Sequence, residues 1–196
     1  MTDRAEGRKP LSRKPRADSL RNRERLIEAA KAGFAAVGQE VTLEEIARRA
    51  GVGIGTLYRH FPSREAMVEA VYRREVEQIA EAAARLLATE RPGEALHRWM
   101  LMFVDYIAAK RLIGPALSAV ASGSPDLYAA SGVRITEAMT RLIEAAVAAG
   151  EVRADTDPQD VFRALLGFAY GSTAPGWEAA ARRLIDIFMD GLRATR

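Results

Sequence analysis

The sequence contains no cysteine. That excludes disulfides, thiol catalysis and every Cys-ligated metal or cluster, and it accords with a reducing, cytoplasmic setting. Histidine is scarce too. Only His60 and His97 occur, and neither sits in a metal-ligand spacing. With no Gly-x-Ser-x-Gly elbow either, no enzyme activity, catalytic residue, metal or cofactor is expected. Long apolar runs are also missing: the longest, Trp99 to Val104, is too short to cross a bilayer. Residues 1–18 are basic but lead into no apolar stretch, unlike a signal peptide. No alternating strand pattern and no repeat at a fixed period can be found.

What is present is helix-forming and unevenly charged. The 196 residues are 48% hydrophobic and 28% charged, in the range of a globular protein with a sizeable core. Alanine (37) and arginine (25) dominate, which favours helix and hints at a GC-rich bacterial genome. Residues 1–61 hold 13 Lys+Arg against 8 Asp+Glu, whereas residues 62–196 hold 16 against 18. An anionic partner is therefore expected for the N-terminal part alone.

Helical periodicity and helix stop signals divide the chain into about nine helices, an all-α fold. Residues 1–18, with Arg13, Lys14 and Arg16 among six cations, read as a flexible arm. A first helix is expected from Asp18 or Ser19 to Val37, with Gly38 as its stop. Thr42 opens a short helix to Ala50 and makes a capping box with Glu45. Another short helix runs from Ile54 to His60, and Ser63 caps a long one from Arg64 towards Thr89. Further helices are expected from Pro92 to Lys110, Ile113 to Ala121, Pro125 to Gly150, Pro158 to Gly171 and Pro175 to Leu192.

The pair of short helices carries the functional signal. Thr42–Ala50 and Ile54–His60 meet through Gly51-Val52-Gly53, where a glycine permits positive φ and Val52 can fill the angle. This is helix-turn-helix spacing: the second helix enters a DNA major groove and the first crosses the backbone. Thr42 and the free amides behind it suit a phosphate, while Gly55, Thr56, Tyr58, Arg59 and His60 suit a groove. Gly51-x-Gly53-x-Gly55 resembles a phosphate-cradling loop, but no strand precedes it, and that reading is rejected.

Thr42-Leu-Glu-Glu-Ile-Ala, followed by Ala50-Gly-Val-Gly-Ile-Gly-Thr-Leu-Tyr-Arg-His-Phe-Pro-Ser-Arg-Glu-Ala, resembles the DNA-binding domain of TetR-family transcriptional regulators. The resemblance covers residues 23–71, about a quarter of the chain. It implies that Thr42 is a phosphate-binding cap, that Gly55 and Thr56 begin the recognition helix, and that Tyr58 and His60 contact the backbone. Arg64 stands where the family usually has a phosphate-binding lysine. Arg59 occupies a variable position that often reads bases, and arginine suits guanine O6 and N7. Gly53-Ile54 departs from the common Ser-polar pair, so Ile54 offers at most contact with a thymine methyl. The arm residues Arg13, Lys14 and Arg16 either follow the minor groove or form a solvated tail.

The resemblance divides the chain into the arm at 1–18, a helix-turn-helix domain at 19–64 continuing into a linking helix to about 89, and an effector-binding and dimerisation domain at 65–196. This last part resembles regulators of SbtR type. Trp99, Met102, Phe103, Tyr106, Tyr128, Met139, Phe162 and Phe168 are the expected lining of an effector pocket, suited to an apolar ligand. Val161, Leu165, Phe168, Leu184, Ile187 and Phe188 are the expected dimer interface on the last two helices. The expected function is that of a homodimeric repressor of double-stranded DNA, released from a pseudo-palindromic operator by a small-molecule effector. Two rivals remain: a helical carrier of an apolar molecule without specific DNA binding, and a DNA-binding dimer without an effector.

Overall fold

The computed structural model describes residues 14–123 and 125–194, and the side chains of 17–38, 40–118 and 129–194. Among the described residues there are eight α-helices: α1 (Lys14–Val37), α2 (Leu43–Ala50), α3 (Ile54–His60), α4 (Arg64–Thr89), α5 (Pro92–Gly123), α6 (Pro125–Ala148), α7 (Pro158–Tyr170) and α8 (Trp177–Leu192). A single 3-10 turn, Gly38–Glu40, separates α1 from α2. The only strand-like pairing among these residues is an isolated antiparallel bridge between Val152 and Arg193.

Two boundaries differ from the sequence expectation by more than two residues. Helix α1 starts at Lys14 rather than near Asp18, so residues 14–18 are helical and not part of an arm. Pro15 lies in the first turn, where its missing N–H costs nothing, and Asp18 and Ser19 are left inside the helix. Residues 1–13, including Arg13, lie outside the described residues. The expected break between Lys110 and Ile113 is also absent, because α5 runs through Pro115. The flanking apolar residues Ile107, Ile113 and Leu117 are all buried, so packing outweighs the lost backbone bond.

The other helix ends obey local chemistry. Gly38 and Gly51 take positive φ (+64° and +63°) at the ends of α1 and α2. Asp157 caps α7 by accepting the Gln159 N–H at 2.7 Å, with Pro158 in its first turn.

The core forms one continuous cluster, from Leu26 and Phe34 of α1 to Ile185 of α8. Helix α1 packs on both α2 and α4, so the N-terminal unit is bound to the start of the linking helix. Two ion pairs cross that boundary. Lys31 Nζ lies 2.7 Å from the buried Glu75 carboxylate, and Arg74 pairs with Glu24 at 3.2 Å. Helices α4, α5 and α6 pack extensively on one another, and α8 packs on α5 and α7.

Candidate nucleic-acid interface

Helix α2 is fixed at both ends by its own sequence. Thr42 Oγ1 accepts the Glu45 N–H at 3.1 Å. The reciprocal half of the expected capping box is not formed. Arg48 and Arg49 take the Glu45 carboxylate at 2.7–2.8 Å instead, because guanidinium partners at i+3 and i+4 outcompete a backbone N–H. Hydrogen bonds from Arg49 and then Arg48 hold the Glu45 carboxyl below its usual range. The Thr42 hydroxyl hydrogen remains free to donate.

At the other end, the Gly51 N–H reaches Arg48 O at 3.1 Å, and the Val52 N–H reaches Ala47 O at 3.0 Å. This closes the turn in the manner of a Schellman motif. Val52 packs partly buried against the core, as the angle-filling role requires.

Helix α3 then presents two faces. Leu57 is fully buried and Phe61, just past the helix end, nearly so. Outward stand Ile54 and Tyr58, four residues apart and both exposed, with Gly55 and Arg59 also exposed. Thr56 and His60 are half-buried. Neither Thr56 nor Arg59 spends its side chain on a hydrogen bond or ion pair among the described residues, so both keep their donors for a ligand. Arg23 stacks its guanidinium over the Phe61 ring at 5.4 Å, fixing α3 to α1.

Arg64, expected to hold phosphate, is engaged within the protein. Its Nη1 donates to Val41 O at 2.6 Å, and its guanidinium lies over the Phe34 ring at 5.4 Å. Those bonds tie the start of α4 to the residue preceding the Thr42 cap. Ser63 caps α4 as expected, accepting the Ala66 N–H at 3.2 Å.

A shallow cleft between α1 and α3 lies outside the sequence expectation. Asp18, Ser19 and Asn22 of α1 line it opposite Thr56, Arg59 and His60. The i, i+4 spacing of Asp18 and Asn22 is visible in the sequence, but assigning residues 14–18 to an arm conceals it.

The expected effector-pocket residues form much of the C-terminal core. Trp99, Phe103, Tyr106 and Met139 are buried, while Met102, Phe162 and Phe168 are partly buried. Trp99 donates its indole N–H to Ile79 O at 2.8 Å. Phe103 lies 5.8 Å from Trp99, 5.6 Å from Tyr106 and 6.0 Å from Phe162, ring to ring. The Tyr128 side chain lies outside those described.

The expected dimer surface divides in two. Leu184 and Ile187 are exposed, and Phe168 and Phe188 meet edge-on at 5.5 Å on a half-exposed face. Val161 and Leu165 are instead buried within this chain. Four residues apart on α7 and in line with buried Ala169, they form its inward stripe and are unavailable to a partner.

No helix among the described residues is long and apolar enough to cross a membrane. His97 pairs with Asp186 of α8 at 2.7 Å, and no group of three or more acidic or histidine residues among those described suits a metal ion.

A two-helix DNA-reading element, set on a long helix that runs into an all-helical second domain, defines a helix-turn-helix transcriptional regulator. Residues 26–71 match the family model of bacterial regulatory proteins of the TetR family, and residues 91–194 match the C-terminal domain of SbtR-like transcriptional regulators. A TetR transcriptional regulator of Streptomyces coelicolor is 46% identical, with a TM-score of 0.81, over 89% of this chain and 99% of that one. A TetR regulatory protein of Mycobacterium vanbaalenii is 38% identical, with a TM-score of 0.76, over 92% and 99%. The HTH-type transcriptional regulator UidR of Escherichia coli is 28% identical over 88% of this chain and 89% of its own. The chain belongs to the TetR family of transcriptional regulators and carries an SbtR-like C-terminal domain. DNA binding is its function, and these relatives are transcriptional regulators.

Proposed function

We propose that the chain acts as a homodimeric repressor, held on a pseudo-palindromic operator until a small, largely apolar effector releases it. The observation that carries this is the outward face of α3, where Ile54, Gly55, Tyr58 and Arg59 all stand exposed. Arg59 reads a guanine, Ile54 meets a thymine methyl, and Gly55 allows close approach of the backbone. Thr42, Thr56, Tyr58 and His60 hold phosphates and set the register. Arg64 acts at one remove: by bonding Val41 O it positions Thr42. Lys14 and Arg16 now belong to α1, and Arg13 precedes them in the sequence.

The second copy joins through α7 and α8, where Leu184, Ile187, Phe168 and Phe188 leave apolar surface exposed. Twofold symmetry then spaces two α3 helices about one DNA turn apart, the geometry a palindrome reads. An effector entering beside partly buried Met102 and Phe162 would part Phe162 from Phe103 and shift α7. Through α4 that shift changes the spacing of the α3 helices, and the coupling is set by the effector's affinity difference between the two states.

The packing of Trp99, Phe103, Tyr106 and Met139 favours a second reading, in which the C-terminal domain only dimerises. A screen of apolar compounds for relief of DNA binding separates the two.

The primary test is selection of bound DNA from a random library by the purified full chain at moderate salt. A pseudo-palindromic consensus is expected, with log affinity falling against log salt by about 0.9 per phosphate contact. Recovery of no consensus by folded protein overturns the operator reading.

A further inference from the structure

We infer that the cleft between α1 and α3 seats one phosphodiester of the operator strand, held by Ser19 and Asn22, and that Asp18 at its edge weakens that grip. The inference rests on α3 being the recognition helix and extends the interface to a helix that no part of the motif includes.

Three observations converge. The cleft has a volume of about 400 Å³ and is walled by Asp18, Ser19 and Asn22 on one side and Thr56, Arg59 and His60 on the other. Every wall residue is polar. A binding surface for an apolar molecule would not be built this way, whereas hydroxyl, carboxamide, imidazole and guanidinium groups are the usual donors to phosphate oxygens.

Second, these donors are idle. The side chains of Ser19, Asn22, Thr56 and Arg59 make no hydrogen bond or ion pair among the described residues. Asn22 is half-buried, and its amide donors are open to a ligand that brings acceptors.

Third, the placement comes from helical spacing. Gly55 and Arg59 lie along the middle of the outward face of α3, with Ile54 and Tyr58 on one side and Thr56 and His60 on the side that borders α1. With Arg59 over a base edge, the strand bounding the major groove passes over Thr56 and His60, and thus over the cleft.

Asp18 has the wrong charge for this position. Among the described residues it pairs with Arg21, at 3.9 Å, and both side chains are well exposed. The loose pair leaves most of the carboxylate charge facing the passing strand. Asp18 therefore limits affinity, keeping the complex within reach of release.

The test uses the full-length chain and its selected operator, with one phosphate at a time replaced by an uncharged methylphosphonate. Wild type is expected to lose affinity at one phosphate per half-site beside the contacted bases. S19A and N22A should each bind about ten-fold more weakly. They should lose sensitivity at that one phosphate, keep it elsewhere, and leave the salt slope unchanged because neutral donors displace no counterions. S19T, which keeps the hydroxyl, should restore the wild-type profile. D18N should bind about 3-fold more tightly. A wild-type chain that selects no consensus overturns the recognition-helix reading and this inference together. A wild-type chain that selects one, with S19A and N22A reproducing its methylphosphonate profile position for position, overturns this inference alone, as does unchanged affinity in D18N.

Discussion

The two parts of this molecule use polar side chains in opposite ways. In the N-terminal unit, Thr56 and Arg59 of α3 and Ser19 and Asn22 of α1 spend no side-chain donor on a hydrogen bond or ion pair among the described residues. In the C-terminal domain the comparable groups are committed to the protein: Arg182 to Asp105 and His97 to Asp186 join α5 to α8. Arg111 donates to Ala169 O and Ser172 O and stacks on Trp177 at 4.0 Å. Salt bridges on an exposed surface add little stability, so these pairs chiefly fix which helix lies beside which. One part is arranged to recognise something outside itself, and the other to hold a shape. Substitutions should therefore separate into those that cost stability and those that cost recognition.

The largest stability effect is expected in the aromatic core. Phe103 touches Trp99, Tyr106 and Phe162 and is almost wholly buried. Phe103→Ala removes its transfer energy and leaves a cavity, a loss of about 3–5 kcal/mol. Denaturant unfolding should show it as a lower midpoint. At a temperature where the variant is folded, its selected DNA consensus should be that of wild type. A changed consensus would break the division between the two parts.

Gly51→Ala tests the N-terminal unit's own framework. Gly51 holds φ at +63°, and an added Cβ would stand 2.7 Å from Arg25 Nη2. The arginine end can swing aside, so the backbone strain dominates, about 1–2 kcal/mol. The same strain tilts α3 against α2, so DNA affinity should fall along with thermal stability. Arg59→Ala is the contrast. Its side chain is exposed and unpartnered, so the unfolding free energy should move by no more than about 0.5 kcal/mol. Preference at one or two base positions should relax by ~1–3 kcal/mol, read from a fresh selection.

The same contrast explains what could be read from the chain and what could not. The α2–turn–α3 element is encoded by adjacent residues: a Thr42 cap, a Gly51 stop, buried Leu57, a Ser63 cap. Each acts within four residues, and each is found in the structure. Features decided by packing were illegible. Continuation of α5 through Pro115 depends on buried neighbours from other helices. The inward turn of Val161 and Leu165 depends on which stripe of α7 meets the body, and both stripes are apolar. The fate of the Glu45 carboxylate lay between equals, since Thr42 and Arg48 both stand three residues away. The α1 side of the cleft was hidden by basic composition, which reads as an arm where Lys14 to Asp18 instead lengthen α1 by more than a turn.

The smallest effect lies where α5 begins, and its sign can be worked out. Glu151 accepts the Gly93 N–H at 2.8 Å and the Arg91 Nε–H at 3.0 Å, serving as the N-terminal cap that the α5 sequence lacks. The Gly93 backbone bond first, and Arg91 second, hold its carboxyl below the ordinary 4.5. A folded value below the unfolded one means that the unfolded chain binds the proton more readily. The contribution is complete above pH 4.5 and is lost as pH falls through the depressed value. Glu151→Gln removes the titrating group but keeps an acceptor oxygen, so stability near neutral pH should drop slightly and its decline in acid should flatten. Unfolding midpoints at about pH 7, 5 and 3.5 read this directly. An acid limb unchanged in the variant would mean that the Gly93 and Arg91 bonds do not favour the ionised form.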